Sequence, residues 1–446
     1  MGDIPEQLIG DAYESSRTWS VLESLTDIGN RMAGQTGEAE GAEFIASTFT
    51  GMGFRQVEST EFPVPGWWRG ESTLSVDAEW ERTFEHPHEL IALPGSPSGS
   101  VSGRIVDVGT GVPEEFDAVD VTNALALVSI ETPDDYGRWV HRTEKYGHAI
   151  ANGADGFLFY NGIPGCLPPT GNIGGDDPGA IPAVGLSQEV GRRLARACGS
   201  GTVGATLDVE AESERSTSRN VEAVIGPETD EEILLTAHVD AHDITEGATD
   251  NGVGCALVTE VGRLLHNHIG NLETAVRLVV FGSEEIGLRG ARQWVETHDL
   301  DSVKCVVNVD GNGTWEDVTA YTHGHDTIAN ALQSVDESLR PSMTVDDEYL
   351  PHSDHWPFVQ NGVPGIMIRS ESTTGRGWGH THGDTLDKLD PKPLRDLAIG
   401  IAAGISSLAD SDRQLEHQSI SRVRDDLIAA GQAAGMRAAD DWPFPE

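Results

Sequence analysis

The sequence predicts an α/β fold in which a mostly parallel sheet is flanked by helices and a β-rich domain is inserted. Short apolar runs alternate with amphipathic helical segments between residues 221 and 410. Strands that alternate with helices indicate a mostly parallel sheet covered on both faces. Between residues 75 and 220 the apolar runs are separated by Gly, Pro and Asp turns, which is typical of a separate β-rich domain. A chain of 446 residues has room for both parts.

The N-terminal region, residues 1–74, is predicted to belong to the first domain. Residues 13–28 place apolar side chains on one helical face, and residues 36–53 form a second helical segment with Thr36 as its N-cap. The segment 61–74 contains Pro63, Pro65 and Gly66 and is predicted to be a linker. After the insert, the core at 221–410 is followed by an acidic C-terminal extension, residues 411–446, with a peripheral helix at 427–439.

Composition limits the classes of protein and partner. Apolar residues make up 38% of the chain, which is ordinary for a protein with a core, and no apolar run is long enough to span a membrane. The N-terminal residues have no basic and apolar segments of a signal peptide, so we expect a cytoplasmic location. The cysteines are few and have no CxxC spacing, which indicates a reducing compartment and argues against a cysteine-ligated metal.

The charge balance is strongly negative. Asp and Glu total 73 against 29 Lys and Arg, a formal net charge of −44. Such a surface repels nucleic acids and anionic membranes, so neither is expected as a partner. Acidic side chains combined with very few lysines are also typical of proteins from salt-accumulating halophiles. The alternative is an ordinary acidic protein.

The stretch Glu232–Asp250, EILLTAHVDAHDITEGATD, contains the first candidate site residues. A short apolar run predicts a buried strand that ends at His238, and Asp240 lies two residues further on, at a spacing that puts both on one side of an extended chain. Asp250 directly precedes a helical pattern. Open α/β sheets build their sites at the carboxyl ends of their strands, and imidazole and carboxylate groups suit zinc. A solvated acidic loop is the alternative.

Further acidic and imidazole groups follow the later strands. Singly, each could be a helix cap or a solvated loop residue, but the ends of neighbouring parallel strands converge on one crevice. Their number suits two metal ions that share a bridging carboxylate and a water. The groups are Glu284 and Glu285 after VRLVVF, Asp310 at the end of VVNVD, and His380, His382 and Asp384 in GHTHGDTLDKLD.

The spacing allows roles to be assigned as a hypothesis. Asp250 lies in the loop between a strand and its helix and is the natural bridge. Only one of the adjacent Glu284 and Glu285 can be a ligand, so the other is free to take a proton from water. Asp240 can hold the second nitrogen of His238 and fix its tautomer.

These motifs resemble those of the co-catalytic dizinc exopeptidases of the aminopeptidase Y and carboxypeptidase Q group. The resemblance covers most of the chain, and GWWRG, DAHDITEGATDNG and HTHGDT look closer to the carboxypeptidase Q branch. The matching segments, in order, are AHVDAHD, GATDNGVG, GSEEIGLRGA, NVDGNG, SDHWPFVQNGVPG and HTHGDTLDKLD.

The resemblance implies an enzyme that hydrolyses short peptides with two Zn²⁺ per chain, for which Co²⁺ or Mn²⁺ could substitute. It implies a zinc-peptidase core and a protease-associated insert without catalytic groups, and it leaves a homodimer open. His380 matches the family's pattern better than His382. The implied residues are His238, Asp250, Glu285, Asp310 and His380 as zinc ligands, Glu284 as general base, Asp240 as the residue that orients His238, and Asp354 and His355 as substrate-binding residues.

Two other functions stay open at the level of sequence. One is a catalytically inactive relative that uses the scaffold for binding, although the complete set of ligand types argues against it. The other is a deacylase or a glutaminyl-cyclase-type enzyme on the same scaffold. Aminopeptidase, carboxypeptidase and dipeptidase specificities are also unresolved, because the residues that recognise a free terminus lie in variable loops.

Overall fold

The computed structural model describes residues 6–268, 270, 272–313, 317–333, 342–370 and 377–445. The chain divides into two compact units, of which the first comprises residues 1–64, 217–379 and 384–426 and the second residues 65–216, 380–383 and 427–446. The domain boundaries at residues 74, 220 and 410 stay a prediction.

The described residues form helices and strands in alternation over most of the chain. The helices are α1 (Glu6–Glu14), α2 (Arg17–Ile28), α3 (Thr36–Gly51), α4 (Pro113–Ala118), α5 (Arg142–Ala151), α6 (Gln188–Ser200), α7 (Val253–Asn267), α8 (Arg289–Thr297), α9 (Asp326–Gln333), α10 (Trp356–Val359), α11 (Pro391–Leu408), α12 (Ile420–Ala429) and α13 (Gln432–Ala438). The strands are β1 (Arg55–Asp77), β2 (Glu81–Phe84), β3 (Leu90–Ala92), β4 (Gly99–Gly109), β5 (Ala124–Ser129), β6 (Gly156–Tyr160), β7 (Ala183–Leu186), β8 (Gly204–Ile225), β9 (Glu232–His238), β10 (Ala275–Phe281), β11 (Val303–Val309), β12 (Val318–Tyr321), β13 (Met343–Asp346) and β14 (Gly365–Ser370).

The sheet of the first unit is mixed, with a parallel centre. Its strand order is β13-β12-β14-β11-β9-β10-β8, and β9 lies parallel to both β10 and β11. β14 continues the parallel set beside β11, whereas β8 and β12 run antiparallel to β10 and β14. The three central strands are almost wholly buried, as expected for strands covered on both faces. The predicted α/β class is confirmed.

Helix α7 packs on the sheet of the first unit, and its apolar composition explains why it is buried. Apolar residues occur all around it, and nearly all of its residues are inaccessible to solvent, including Leu257, Val261 and Leu264. It packs against α2, α11 and β9. A helix that is apolar on all sides is stable only when other elements enclose it. This packing fixes the N-terminus of α7 and therefore the loop that precedes it.

The second unit has its own sheet and core. β4, β5, β6 and β7 are parallel neighbours, β3 runs antiparallel to β7, and the first part of β8 runs antiparallel to β4. Phe157, Phe159 and Tyr146 contribute to its apolar core. Lys145 is buried beside them and donates hydrogen bonds to the carbonyl oxygens of Ser129 and Glu131.

The helix predicted at 13–28 is present as α2 but begins later, and the linker predicted at 61–74 was wrong. The chain breaks between α1 and α2 at Ser15 and Ser16, and the hydroxyl of Ser15 accepts a hydrogen bond from the N–H of Arg17. A serine that binds the backbone in this way competes with helix continuation. The linker predicted at 61–74 is part of strand β1, which pairs with β2 and β8. Its prolines occupy more exposed positions that alternate with buried Phe62 and Val64, so the strand tolerates them.

The C-terminal extension is helical, but its helix boundaries differ from the prediction. Two short helices, α12 and α13, replace the single helix predicted at 427–439. Gly431 separates them at a φ of +73°, in the left-handed region that favours glycine and that ends a helix. Of the described residues, no helix has the length and apolar character needed to cross a membrane.

Candidate metal centre

The candidate site lies at the carboxyl ends of three parallel strands. His238 is the last residue of β9, Glu284 and Glu285 follow β10, and Asp310 follows β11 directly. Because β10 and β11 flank β9 in parallel, their ends meet at one edge of the sheet. The fold therefore brings together groups that follow three separate strands of the chain, as strand-end reasoning predicts.

His238, Asp250 and Asp310 form a group that can hold a metal ion, with ligand atoms that all lie within 4.8 Å of one another. Nε2 of His238 is 3.3 Å from Oδ1 of Asp250 and 3.5 Å from Oδ1 of Asp310. A tetrahedral zinc ion with ligands at about 2.0–2.1 Å sets neighbouring ligand atoms roughly 3.3 Å apart. The spacing and the donor atoms of this group fit zinc.

Asp240 holds the other side of His238 and links two strand ends. Nδ1 of His238 lies 3.1 Å from the backbone oxygen of Asp240 and 3.4 Å from its Oδ1. The Asp240 carboxylate also accepts hydrogen bonds from the backbone N–H groups of Glu284 and Glu285, both at 3.0 Å. One buried side chain thus fixes the His238 ring and the backbone of both candidate glutamates.

The carboxylates of the site create an excess of buried negative charge. Burial lowers the pKa of His238, but Glu284, Asp240 and the other nearby carboxylates outweigh burial, and its pKa lies well above the ordinary value. Burial raises the pKa of Glu284 well above normal, and His238 opposes this while Glu285 adds to it. Burial also raises the pKa of Asp354. Buried like charges of this kind are stable when a cation lies among them, which is the second reason that a metal fits here.

The loop that carries Asp250 is held from several sides. The carboxylate of Asp384 accepts hydrogen bonds from the N–H of Thr249 at 2.7 Å and the N–H of Asp250 at 3.1 Å. Fully buried Arg31 donates to the backbone oxygens of Val239 and Gly247, at both ends of the loop. Asp384 and Arg31 therefore fix the backbone from which Asp250 reaches the site.

Asp310 is positioned by a chain of buried polar groups. The hydroxyl of Ser353 donates to Oδ2 of Asp310 at 2.6 Å, and Asn308 donates to Ser353 at 2.8 Å. Asn308 in turn accepts from the hydroxyl of Thr236 on β9. This leaves Oδ1 of Asp310 directed towards His238, as a ligand oxygen requires.

Asp354 and His355 have fully buried side chains. Nε2 of His355 lies 3.2 Å from Nε2 of His323, which accepts a hydrogen bond from the N–H of Leu350. His323 is therefore a buried, hydrogen-bonded residue. The substrate-binding roles of Asp354 and His355 stay a prediction.

His380 belongs to a short loop, residues 380–383, that clusters with the second unit. It is nearly buried, has a φ of +57°, and its backbone oxygen accepts a hydrogen bond from the N–H of Thr170 in the same unit. His382 lies on the surface with Nε2 3.2 Å from the backbone oxygen of Pro87. Its exposure suits the loop histidine that the sequence favoured over a ligand.

Sequence reasoning missed His242. Its Nε2 lies 2.8 Å from Oε2 of Glu285, and both side chains are buried. The residue is printed in the motif AHVDAHD, four positions after His238. The signal in the sequence was a second imidazole close to His238 at the end of a strand. The ligand set implied by the family resemblance does not include it.

Residues 220–405 match the family described as Peptidase family M28, and residues 98–194 match the PA domain. The segment 220–405 therefore belongs to peptidase family M28. The M28 match includes β9, β10 and β11 and every residue of the candidate centre, and the PA domain lies within the second unit. The resemblance to the dizinc exopeptidase group and its protease-associated insert is confirmed at the family level. The closeness to the carboxypeptidase Q branch stays a prediction.

Relatives of this M28 peptidase carry aminopeptidase names. Aminopeptidase YwaD from Bacillus subtilis is 26% identical over 420 residues, which are 90% of this chain and 86% of the relative. A peptidase M28 precursor from Shewanella amazonensis has a TM-score of 0.76 at 24% identity, covering 92% of this chain and 97% of that structure. A zinc aminopeptidase from Bacillus subtilis has a TM-score of 0.68 at 23% identity, covering 90% and 96%. These structural similarities show the fold.

Proposed function

We propose that this M28 peptidase is a dizinc aminopeptidase that removes residues from the free amino end of short peptides. The observation that carries the proposal is the His238, Asp250 and Asp310 group, whose spacing fits zinc, beside a second buried imidazole–carboxylate pair. The aminopeptidase names of the relatives favour amino-terminal over carboxy-terminal cleavage.

The proposed ligand set combines geometry with the sequence motif. His238 and Asp310 would hold one ion, Glu285 would hold the other, and Asp250 would be the ligand shared by both. His380 completes the set through its match to the family motif. Asp384, four residues after His380, accepts a hydrogen bond from the backbone N–H of Asp250.

When bound, zinc supplies a more acidic water and polarises the carbonyl of the scissile bond. Glu284 acts as the general base: its carboxylate takes a proton from the attacking water and returns it to the leaving amine. Asp240 accepts hydrogen bonds from the backbone N–H groups of Glu284 and Glu285, which would hold both side chains in place for proton transfer and for metal binding.

The turnover of a matched peptide panel tests this function. Leucyl dipeptides with a free amino group, the same peptides with an acetylated amino group, and the same peptides with an amidated carboxyl end should be compared in the presence of Zn²⁺ and strong salt. We expect cleavage of the free and the C-amidated peptides and none of the N-acetylated ones. Cleavage only of N-acetylated peptides would indicate a carboxypeptidase or deacylase. Absence of turnover by a fully metallated protein would favour a binding relative.

Three further properties belong to this proposal. The charge of −44 supports a protein adapted to high salt. A cytoplasmic location and a homodimer remain predictions from sequence. Co²⁺ or Mn²⁺ could replace zinc, because imidazole and carboxylate ligands accept all three ions.

A further inference from the structure

We propose that His242 is an additional metal ligand, bound through Nε2 to the ion that Glu285 holds. The inference rests on the proposed function, because it assumes that Glu285 is a ligand. The ligand set implied by the family resemblance lacks this imidazole, so the proposal adds one ligand to that ion. It also assigns a role to a buried histidine that the mechanism otherwise leaves unused.

The first argument is distance. Nε2 of His242 and Oε2 of Glu285 are 2.8 Å apart. Two ligands at about 2.0–2.1 Å from zinc lie roughly 2.9 Å apart when they subtend a right angle and roughly 3.3 Å apart in a tetrahedron. The observed spacing therefore suits adjacent positions of a five-coordinate ion, and only a small shift is needed for a tetrahedral one. His242 and Glu285 also belong to one group of residues whose ligand atoms lie within 4.8 Å of one another, which is close enough to hold a metal ion.

The second argument is how firmly both residues are held. Asp240, two residues before His242, binds the backbone N–H of Glu285. The N–H of Ala241 donates to the backbone oxygen of Arg31 at 3.0 Å, and the backbone oxygen of His242 accepts from the N–H of Thr245 at 3.2 Å. The backbone on both sides of His242 is thus fixed relative to the strand end that carries Glu285. Such fixed backbone is what a precise metal site needs.

The third argument is the contrast with a buried histidine of structural type. Nδ1 of His323 lies 3.2 Å from the backbone oxygen of Gly365, and its Nε2 accepts from the N–H of Leu350, so the ring is held by main-chain groups on both sides. His242 instead directs Nε2 to a carboxylate at the candidate centre, with 1% of its side chain exposed. A neutral imidazole suits zinc and adds no further negative charge to an already acidic site.

A cobalt-substituted His242→Cys variant gives the direct test. A thiolate that binds Co²⁺ produces a charge-transfer band in the near ultraviolet, so the band appears only if the side chain at position 242 reaches the metal. We expect this band in the Co²⁺-loaded variant and none above the wild-type baseline in His268→Cys. His268 is a matched control because it also pairs with a carboxylate, with its Nε2 3.0 Å from Oδ2 of Asp11. This pair joins α1 to the end of α7.

Zinc affinity provides an independent measurement. His242→Gln keeps a side-chain N–H that can donate to Glu285 but removes the imidazole nitrogen. At a chelator-buffered free Zn²⁺ concentration, we expect this variant to hold one zinc ion where the wild-type protein holds two. Its affinity for the second ion should be at least tenfold lower, and its circular dichroism spectrum should be unchanged. His268→Gln should retain both ions. Wild-type zinc affinity in His242→Gln, together with no new band in His242→Cys, would show that His242 only hydrogen-bonds Glu285.

These outcomes separate the inference from the proposed function. If wild-type protein binds two zinc ions and cleaves free peptides while both His242 variants bind metal normally, the ligand role of His242 is overturned and the peptidase assignment stands. If wild-type protein binds no zinc at all, the proposed function fails first. Should His242→Cys not fold, the zinc affinity of His242→Gln decides the question.

Discussion

At the scale of single residues, Glu284 and Glu285 show how adjacent identical side chains acquire different roles. Both follow β10, and both have their backbone N–H bound to Asp240. Glu285 is buried against His242, whereas Glu284 is partly exposed when its backbone is included. This difference supports the roles proposed above, in which Glu284 transfers protons and Glu285 binds the metal.

Replacement of Glu284 by glutamine should leave metal binding intact and remove most of the turnover. The amide keeps the shape of the side chain but cannot take a proton, and loss of a general base typically costs about 10² to 10⁴ in rate. The measurement is kcat together with zinc content. A variant with full zinc and wild-type kcat would remove Glu284 from the mechanism.

Replacement of Asp250 by alanine should reduce zinc content more than the corresponding change of Asp310. Oδ1 of Asp250 lies 3.3 Å from Nε2 of His238, and the bridging role proposed for Asp250 means that its loss would weaken the binding of both ions. Metal analysis of Asp250→Ala and Asp310→Ala at the same buffered zinc concentration compares them directly. Two zinc ions retained per chain in Asp250→Ala would place the bridge elsewhere.

At the scale of elements, the site depends on where strands end. Strand-end reasoning predicted the places of His238, Asp310 and Glu285, because apolar runs mark β9, β10 and β11 and parallel strands share an edge. It could not predict the distance between His242 and Glu285, because that distance depends on the path of the loop after β9. Nor could it predict β1, because the exposure of its prolines depends on pairing with β8. The hydrogen bonds by which Arg31 holds the backbone of the loop that carries Asp250 could not be predicted from the sequence either.

Buried histidines beside α10 should make the first unit sensitive to acid. Burial lowers the pKa of His323 from 6.5 to about 4, and burial also lowers the pKa of His355 well below normal. Below pH 6.5 the unfolded chain binds a proton at His323 that the folded chain excludes until about pH 4. The contribution of His323 to the free energy of unfolding is therefore complete above pH 6.5. It is lost as the pH falls towards 4, by on the order of 3 kcal/mol across this window.

The test compares wild-type protein with His323→Gln, both metal-free and in strong salt, by denaturant unfolding between pH 7 and pH 4. We expect the variant to be less stable at pH 7, because glutamine cannot replace both ring contacts, and to lose less stability as the pH falls. Parallel pH profiles for the two proteins would show that His323 does not titrate in this way.

At the scale of the whole molecule, charge dominates. The chain has 73 acidic against 29 basic side chains, so ion pairs can neutralise only a minority of its carboxylates. Charged groups of like sign crowd a folded surface more closely than an expanded chain. The screening length is about 3 Å in 1 M salt and about 30 Å at 0.01 M, so distant carboxylates repel one another once salt is removed. Folded proteins are stable by only about 5–15 kcal/mol, and this repulsion is large enough to matter.

The thermal midpoint of the metal-loaded protein should rise with KCl from about 0.05 M to about 3 M, because screening relieves the repulsion. Zinc binds the native state and should reduce the dependence by mass action, so the metal-free protein is expected to show a steeper rise. Thermal unfolding of both forms across the series is the measurement. A midpoint that stays flat or falls would contradict adaptation to high salt without affecting the peptidase assignment.

The two-metal centre is tested most directly by titrating zinc back into metal-free protein in strong salt while following both bound metal and cleavage of a free leucyl dipeptide. The geometry at His238 and the pair at Glu285 predict that two zinc ions bind per chain and that turnover, absent without metal, returns with them. Saturation at a single zinc ion, or full turnover by the metal-free protein, would contradict it.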